Sequence, residues 1–406
     1  MKKANSLIAS ILKLFFRPAL FLVYRFRFDR STSNHIKRPC VILSNHQTVI
    51  DQFALSMGFK FAINYVASDT IFRHGFLSKV MIALVRPIAF SKGNSDFIAV
   101  KNMISVIKDG GCVAMFPSGN RSFFGKENKI VNGIGKLVKK LDAPLVLVQI
   151  KGGYNTKPRW KKKTNKGKMT ASVVKIIPID ELKTVSNDEL DNIIQNNLNF
   201  NEFDYNKQAK IVFSGKHKAE YLESVLFYCP QCFCFSSLYS KGNEFFCQDC
   251  QMRVRINDLG FFERVHNADK IPETILEWGE LQLNFIKNYD YSPYFDKFLF
   301  SDNNIKFLKA ERAKKEHLIA IGSINFYSDK ICIVANHSTT PYPLIQEFLL
   351  KDITFAIQGV RKLTIYKGNE VYAIIASHKT NLFKYMVCGY HLRNKILDIK
   401  EEYYGY

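Results

Sequence analysis

Residues 40–51 read Cys40-Val41-Ile42-Leu43-Ser44-Asn45-His46-Gln47-Thr48-Val49-Ile50-Asp51. Cys40–Leu43 is a continuous apolar run, the pattern of a short strand buried on both faces. Ser44-Asn45-His46 is a polar step, and Asp51 opens a helical pattern through Phe53, Leu55 and Met57. Residues five apart on an ideal helix lie about 140° apart around the axis. His46 and Asp51 therefore meet only if the histidine precedes the first turn, as a strand-to-helix turn allows. An aspartate accepting from one ring nitrogen fixes the tautomer and leaves the other nitrogen as a base.

Outward from this stretch, strand and helix patterns alternate. Strand-like runs are Cys40–Leu43, Ala62–Ala67, Pro87–Phe90, Cys112–Phe116, Pro144–Ile150 and Ala171–Ile177. Helix-like runs are Asp51–Gly58, Phe76–Val85, Asp96–Lys108, Gly133–Leu141 and Asn187–Leu198. The alternation predicts an α/β domain over residues 31–215, a mixed sheet flanked by helices. Sites in such sheets lie at the carboxyl ends of strands. His46 follows one strand, and the loop Pro117-Ser118-Gly119-Asn120-Arg121-Ser122 follows another. An arginine, a serine hydroxyl and loop N–H groups suit phosphate. Lys92, after the strand ending at Phe90, offers a second cation.

Charge is unevenly placed. Residues 1–170 hold 30 Lys/Arg against 7 Asp/Glu, whereas the remainder holds 28 against 29. A basic half attracts an anionic partner, such as nucleic acid, an acidic membrane or a phosphorylated substrate. Residues 6–24 are apolar but interrupted by Lys13, Arg17 and Pro18 and flanked by basic residues. They read as an interfacial membrane segment, residues 1–30, with Pro18 breaking or kinking the helix. No cleavable signal peptide is expected. Residues 151–168 hold eight basic residues, no acidic residue and Trp160, and read either as a solvated loop or as a second membrane contact.

Taken in order, four blocks resemble the lysophosphatidic acid acyltransferase family. They are Asn45-His46-x4-Asp51, Phe90-Ser91-Lys92, Phe116-Pro117-Ser118-Gly119-Asn120-Arg121-Ser122 and Ala143-Pro144-Leu145-Val146-Leu147-Val148. The resemblance covers roughly residues 30–180. It departs from the family pattern at Ser118, where a glutamate is usual, and at Lys92, Asn120 and Leu147. It implies that His46 and Asp51 are catalytic and that Lys92, Arg121, Ser118, Gly119, Asn120 and Ser122 bind the substrate phosphate. The implied reaction moves an acyl group from acyl-CoA or acyl-carrier protein to a lysophospholipid. The implied setting is the cytoplasmic face of the cell membrane, with the protein peripheral or monotopic among its phospholipids.

Cys229-x2-Cys232 and Cys247-x2-Cys250 are separated by 14 residues. Two such turns a hairpin apart predict a zinc ribbon over 225–256, with a structural zinc on these four cysteines and Cys234 as a spare. Residues 257–315 read as a helical linker. Residues 316–398 read as a β-rich unit closed by a helix, which weakly resembles PH-like and GRAM domains. A nucleic-acid-associated zinc-ribbon protein is the alternative class, but the ribbon half lacks a basic surplus, so no nucleic-acid partner is expected. A catalytically inactive lipid-binding member of the same fold is the other alternative.

Overall fold

The computed structural model describes residues 3–68, 85–90, 97–310, 316–338 and 345–399. The helix expected over Phe76–Val85 and the predicted ligand Lys92 fall largely or wholly outside them. The chain divides into two compact units. The first takes residues up to Pro158 together with Lys163–Gly215, and the second takes Arg159–Lys162 and the chain from Lys216 onward.

In chain order the first unit contains α1 (Ser6–Tyr24), β1 (Arg27–Phe28), β2 (Cys40–Ser44), α2 (Asp51–Ser56), β3 (Asn64–Ser68), β4 (Ile88–Phe90), α3 (Phe97–Lys108) and β5 (Cys112–Met115). It continues with α4 (Ile134–Leu141), β6 (Leu145–Lys151), α5 (Gly153–Thr156), β7 (Thr170–Ile177), α6 (Ile179–Thr184), α7 (Asn187–Leu198) and α8 (Glu202–Ala209). The strands form one sheet in the order β1-β7-β6-β2-β5-β3-β4. Only the β6–β7 pair is antiparallel, so the sheet is mixed.

Alternate side chains of the central strands serve two cores. Val41, Leu43, Val113, Met115, Leu145 and Leu147 pack under α3, α4 and α7. Ile42, Cys112, Ala114, Val146 and Val148 face the other way, against Leu20 of α1 and Ala54 and Leu55 of α2. Burial on both faces explains why these strands carry no polar alternation. Each fully buried aliphatic side chain contributes about 1.5–3 kcal/mol. The sheet is thus a rigid platform whose parallel strands β2 and β5 pair through Leu43 and Met115 and end together.

Helix α1 begins at Asn5, whose side chain caps Leu7 and Ile8, and ends at Arg25 in a left-handed conformation. Pro18 lies inside this helix rather than ending it. Lys13 Nζ donates to the Phe59 and Phe61 carbonyls, Phe16 stacks on Phe53, and Leu20 is buried. Leu7, Ile11, Leu14, Phe15, Phe21 and Leu22 are exposed. By length and composition this helix could cross a membrane, and few of its residues are buried.

The second unit opens with an antiparallel sheet of β8 (Leu238–Lys241), β9 (Glu244–Cys247), β10 (Arg253–Ile256) and β11 (Phe262–His266). Helix α9 (Ile275–Asn288) follows, started by a Thr274–Glu277 capping box. Its Trp278 is buried against Phe245 and Phe262 and donates to the Tyr228 carbonyl. Next come β12 (Phe300–Ala310), β13 (His317–Phe326), β14 (Lys330–Ser338), β15 (Ile345–Leu349), β16 (Thr354–Gln358), β17 (Lys362–Lys367), β18 (Glu370–Ile375) and α10 (Leu382–Ile396). These strands pair antiparallel in the order β15-β14-β13-β12-β18-β17-β16. A β-rich unit closed by a helix is the pair of features on which the PH-like and GRAM resemblance rests.

Two expectations are corrected. The stretch 257–315 is no helical linker, because β11 and β12 lie within it as well as α9. Trp160 is no membrane contact. It is 2% exposed, and its indole N–H donates to the Lys218 carbonyl. Arg159 is also buried and donates to the Gly359 carbonyl, so Arg159–Lys162 is a packed part of the second unit.

Candidate active site

Asn45 ends β2 by imitating a strand residue. Its side chain donates to the Ile150 carbonyl at 2.8 Å and accepts the Ile150 N–H at 2.7 Å. That clamp to β6 turns the chain outward at His46. Asp51, the first residue of α2, is wholly buried and reaches back under the loop. Its Oδ2 accepts from His46 Nδ1 at 2.8 Å, from Gln47 N at 2.6 Å and from Thr48 N at 2.8 Å. Its Oδ1 accepts from Thr48 Oγ1 at 2.6 Å. With Nδ1 carrying the proton toward a carboxylate, Nε2 is the basic nitrogen. The imidazole also lies flat on Phe116, ring centroids 4.1 Å apart.

The loop after β5 arrives beside it. Ser122 N donates to the His46 carbonyl at 2.9 Å. Gly119 has φ +71°, and its N–H closes a turn onto the Phe116 carbonyl. Gly119 is exposed and Asn120 and Arg121 are partly buried, so these three line the open side. Ser118 and Ser122 do not. Both are fully buried, Ser118 Oγ donating to the Asn120 carbonyl and Ser122 Oγ to the Lys126 carbonyl. A hydroxyl committed inside its own loop has no proton left for a ligand. Through these bonds the two hydroxyls shape the loop that carries Arg121.

Three residues of the site carry no signal in the sequence patterns. Lys157 follows α5, whose Tyr154 N–H donates to Gln47 Oε1 and whose Tyr154 hydroxyl donates to the Phe123 carbonyl. That bridging residue ties α5 to both the His46 and the Arg121 loops. Burial lowers the Lys157 pKa, and the Arg121 guanidinium nearby lowers it further. Arg121 is itself lowered by burial, partly offset by Asp51. Two partly desolvated cations held together form a site for an anion.

The other two are buried carboxyls. Glu127 Oε2 accepts the His46 N–H at 2.9 Å, and Glu202 Oε2 accepts the Gly152 N–H at 3.1 Å. Segment 125–127 is laced to 200–202 by Glu127 N to the Phe200 carbonyl, Glu202 N to the Gly125 carbonyl, and a bridge between Lys126 and Asn201. Gly125 is required there: it has φ +88°, and a Cβ would lie 2.7 Å from the Phe203 ring. Burial pushes both carboxyls up to about 8. Hydrogen bonds from Ser118 and the His46 N–H oppose the shift at Glu127, and those from Gly152, Asn155 and Gln47 oppose it at Glu202.

In the second unit Cys229, Cys232, Cys234 and Cys247 bring their sulfurs within 4.8 Å of one another, and Cys250 lies 3.8 Å from Cys229. Such a cluster has the donors to hold a metal ion. Four sulfurs about 2.3 Å from a tetrahedral zinc lie roughly 3.8 Å apart. Cys229–Cys250 at 3.8 Å and Cys232–Cys247 at 3.7 Å meet that spacing. Cys234 is closer, 3.2 Å from Cys232 and 3.4 Å from Cys247.

The histidine–aspartate pair lies at the carboxyl end of an α/β strand beside an arginine loop, and the residues that carry it fall within 25–151, which match the family model described as Acyltransferase. Among curated proteins, the chain is 30% identical over 138 residues to a 1-acyl-sn-glycerol-3-phosphate acyltransferase of Pseudomonas aeruginosa, covering 33% of this chain and 52% of that protein. It is 28% identical over 116 residues to the chloroplastic 1-acyl-sn-glycerol-3-phosphate acyltransferase BAT2 of Brassica napus, covering 28% of this chain and 33% of that protein. Among solved structures, the 1-acyl-sn-glycerophosphate acyltransferase PlsC of Thermotoga maritima is similar at a TM-score of 0.41 and 19% identity, over 47% of this chain and 76% of that one. The similarity to lysophosphatidic acid acyltransferases thus lies within the N-terminal unit. The matched stretch spans about half of the Pseudomonas relative and a third of the Brassica one.

Proposed function

We propose that the N-terminal unit moves a fatty acyl group from a thioester to the free hydroxyl of a lysophospholipid, with 1-acylglycerol-3-phosphate as acceptor, in phospholipid biosynthesis. The observation that carries this is the His46–Asp51 pair at 2.8 Å, set beside the Arg121 loop. His46 Nε2 takes the hydroxyl proton as the oxygen attacks the thioester carbonyl carbon. Asp51 stabilises the imidazolium. Collapse of the tetrahedral intermediate breaks the C–S bond, and the leaving thiolate takes the proton from His46. Arg121 and Lys157, with the loop backbone at Gly119 and Asn120, hold the acceptor phosphate and so fix the hydroxyl against His46. Lys92 is retained as a further phosphate ligand on the sequence resemblance alone.

The acceptor is a membrane lipid, and α1 supports a monotopic placement on the cytoplasmic face. One side of the helix packs on its own unit, while Leu14 and Phe15, each 73% exposed, continue an outward apolar stripe. Basic residues flank it, as interfacial segments require. Cys229, Cys232, Cys247 and Cys250 are proposed as the ligands of a structural zinc that ties the ribbon together, with Cys234 outside the tetrahedron. Substituting Cys247 with serine should remove zinc measured by elemental analysis of the purified chain. The PH/GRAM-like unit is proposed as a lipid- or partner-binding module.

The test is acyl transfer over a panel of lysophospholipids, each offered with acyl-CoA and with acyl-carrier protein. Lysophosphatidic acid should be the best acceptor, and the donor comparison identifies the thioester. Binding of every lysophospholipid without turnover would instead mark an inactive lipid-binding member of the fold.

A further inference from the structure

We propose that Glu127 is a positioning residue for the reaction: its carboxyl holds the peptide at His46 so that the imidazole, pinned by Asp51, presents Nε2 to the acceptor hydroxyl. The inference rests on the acyl-transfer reading given above.

Three observations carry it. First, the peptide at His46 is gripped on both sides by one segment: Glu127 Oε2 accepts the His46 N–H at 2.9 Å, and Ser122 N donates to the His46 carbonyl at 2.9 Å. Secondly, Glu127 is itself immobilised, its N–H donating to the Phe200 carbonyl at 2.8 Å and its neighbour Lys126 bridging to Asn201. Thirdly, Glu127 is buried and its Oε1 has no hydrogen-bond partner. A buried orphaned oxygen costs stability, so an apolar side chain would serve packing better. The bond that Oε2 accepts from the His46 N–H explains the carboxyl. Ser118, the position where the resemblance leads one to expect a glutamate, neighbours this same carboxyl. The chain thus carries its carboxyl further along the loop, at 127.

Glutamine at 127 keeps a carbonyl acceptor at the same reach. Methionine keeps the volume without the acceptor, and aspartate keeps the carboxyl but withdraws it by one methylene. The full-length chain is assayed for acyl transfer to lysophosphatidic acid, and the His46 ring titration is followed by NMR. E127M and E127D should lower kcat about 10–100-fold with KM within threefold. Both should also move the His46 titration by about half a pH unit or more. E127Q should stay within threefold of the unmodified chain in kcat and leave the titration in place. The proposal is overturned if folded E127M or E127D keeps wild-type kcat and titration, or if folded E127Q loses as much as E127D. Should the unmodified chain transfer no acyl group, the functional reading fails, while the His46 titration still decides the role of Glu127.

Discussion

Asp51→Asn separates the chemistry of the histidine–aspartate pair from its architecture. Asp51 Oδ2 gathers His46 Nδ1, Gln47 N and Thr48 N, and Oδ1 takes the Thr48 hydroxyl. An asparagine can place its carbonyl oxygen where Oδ2 lies and turn its amide toward Thr48, whose hydroxyl then accepts. The shape of the loop survives, but three charge-assisted bonds become neutral. Each loses about 1 kcal/mol, so the unit loses roughly 3 kcal/mol of stability. The imidazolium formed during transfer loses its counter-charge, and kcat should fall about 10²–10⁴-fold, or ~3–5 kcal/mol of barrier. The assay follows thiol release from the donor, with thermal melting as the control for folding. A D51N chain that melts lower yet keeps kcat within tenfold of wild type would refute the reasoning, leaving Asp51 as a loop cap and nothing more.

Three further expectations follow from the same geometry. Glu127 and Glu202 ionise near 8 when folded, against about 4.5 for an ordinary glutamate, so the folded chain holds protons the unfolded chain has released. Their contribution is therefore complete below about pH 4.5 and is lost as pH rises toward 8. The slope of melting temperature against pH across that window should flatten in E202Q. Arg121→Ala and Lys157→Ala should each raise the KM for lysophosphatidic acid about 10–100-fold, the worth of one charge-assisted contact, while the donor KM stays within threefold. Replacing Leu14, Phe15 and Leu22 together by serine removes three exposed apolar side chains from α1 and should release the protein from anionic vesicles in a flotation assay, with turnover on detergent-dispersed acceptor retained.

Much of the N-terminal unit was legible because its strands are buried on both faces and so read as unbroken apolar runs. The expected Cys112–Phe116 and Pro144–Ile150 differ from β5 and β6 by one residue at an end or two. Helix α7 spans Asn187–Leu198 as its pattern suggests, and the structure adds the Ser186 cap. His46, Asp51 and Arg121 were visible because each follows a strand within a few residues. Glu127, Glu202 and Lys157 were not. Glu127 and Lys157 sit on loops without a period and Glu202 opens a short helix, and their roles come from contacts between distant segments, 81 residues in the case of Glu127 and His46. Strand β12 was hidden by the register shift between Asp302 and Ile305 and by Asn304 at φ +57°, which break the alternation of its first half. Trp160 misled because a tryptophan among lysines looks the same at a membrane surface as in a packed loop. Only the Lys218 carbonyl that receives its N–H distinguishes them.

The central claim is that His46 is the base of an acyl transfer, and His46→Ala tests it most directly. The full-length chain and H46A are each given a thioester donor and lysophosphatidic acid, and the diacyl product is measured. Transfer by the unmodified chain with a loss of at least about 10²-fold in a normally melting H46A is the predicted result. Equal transfer by the two proteins would contradict it.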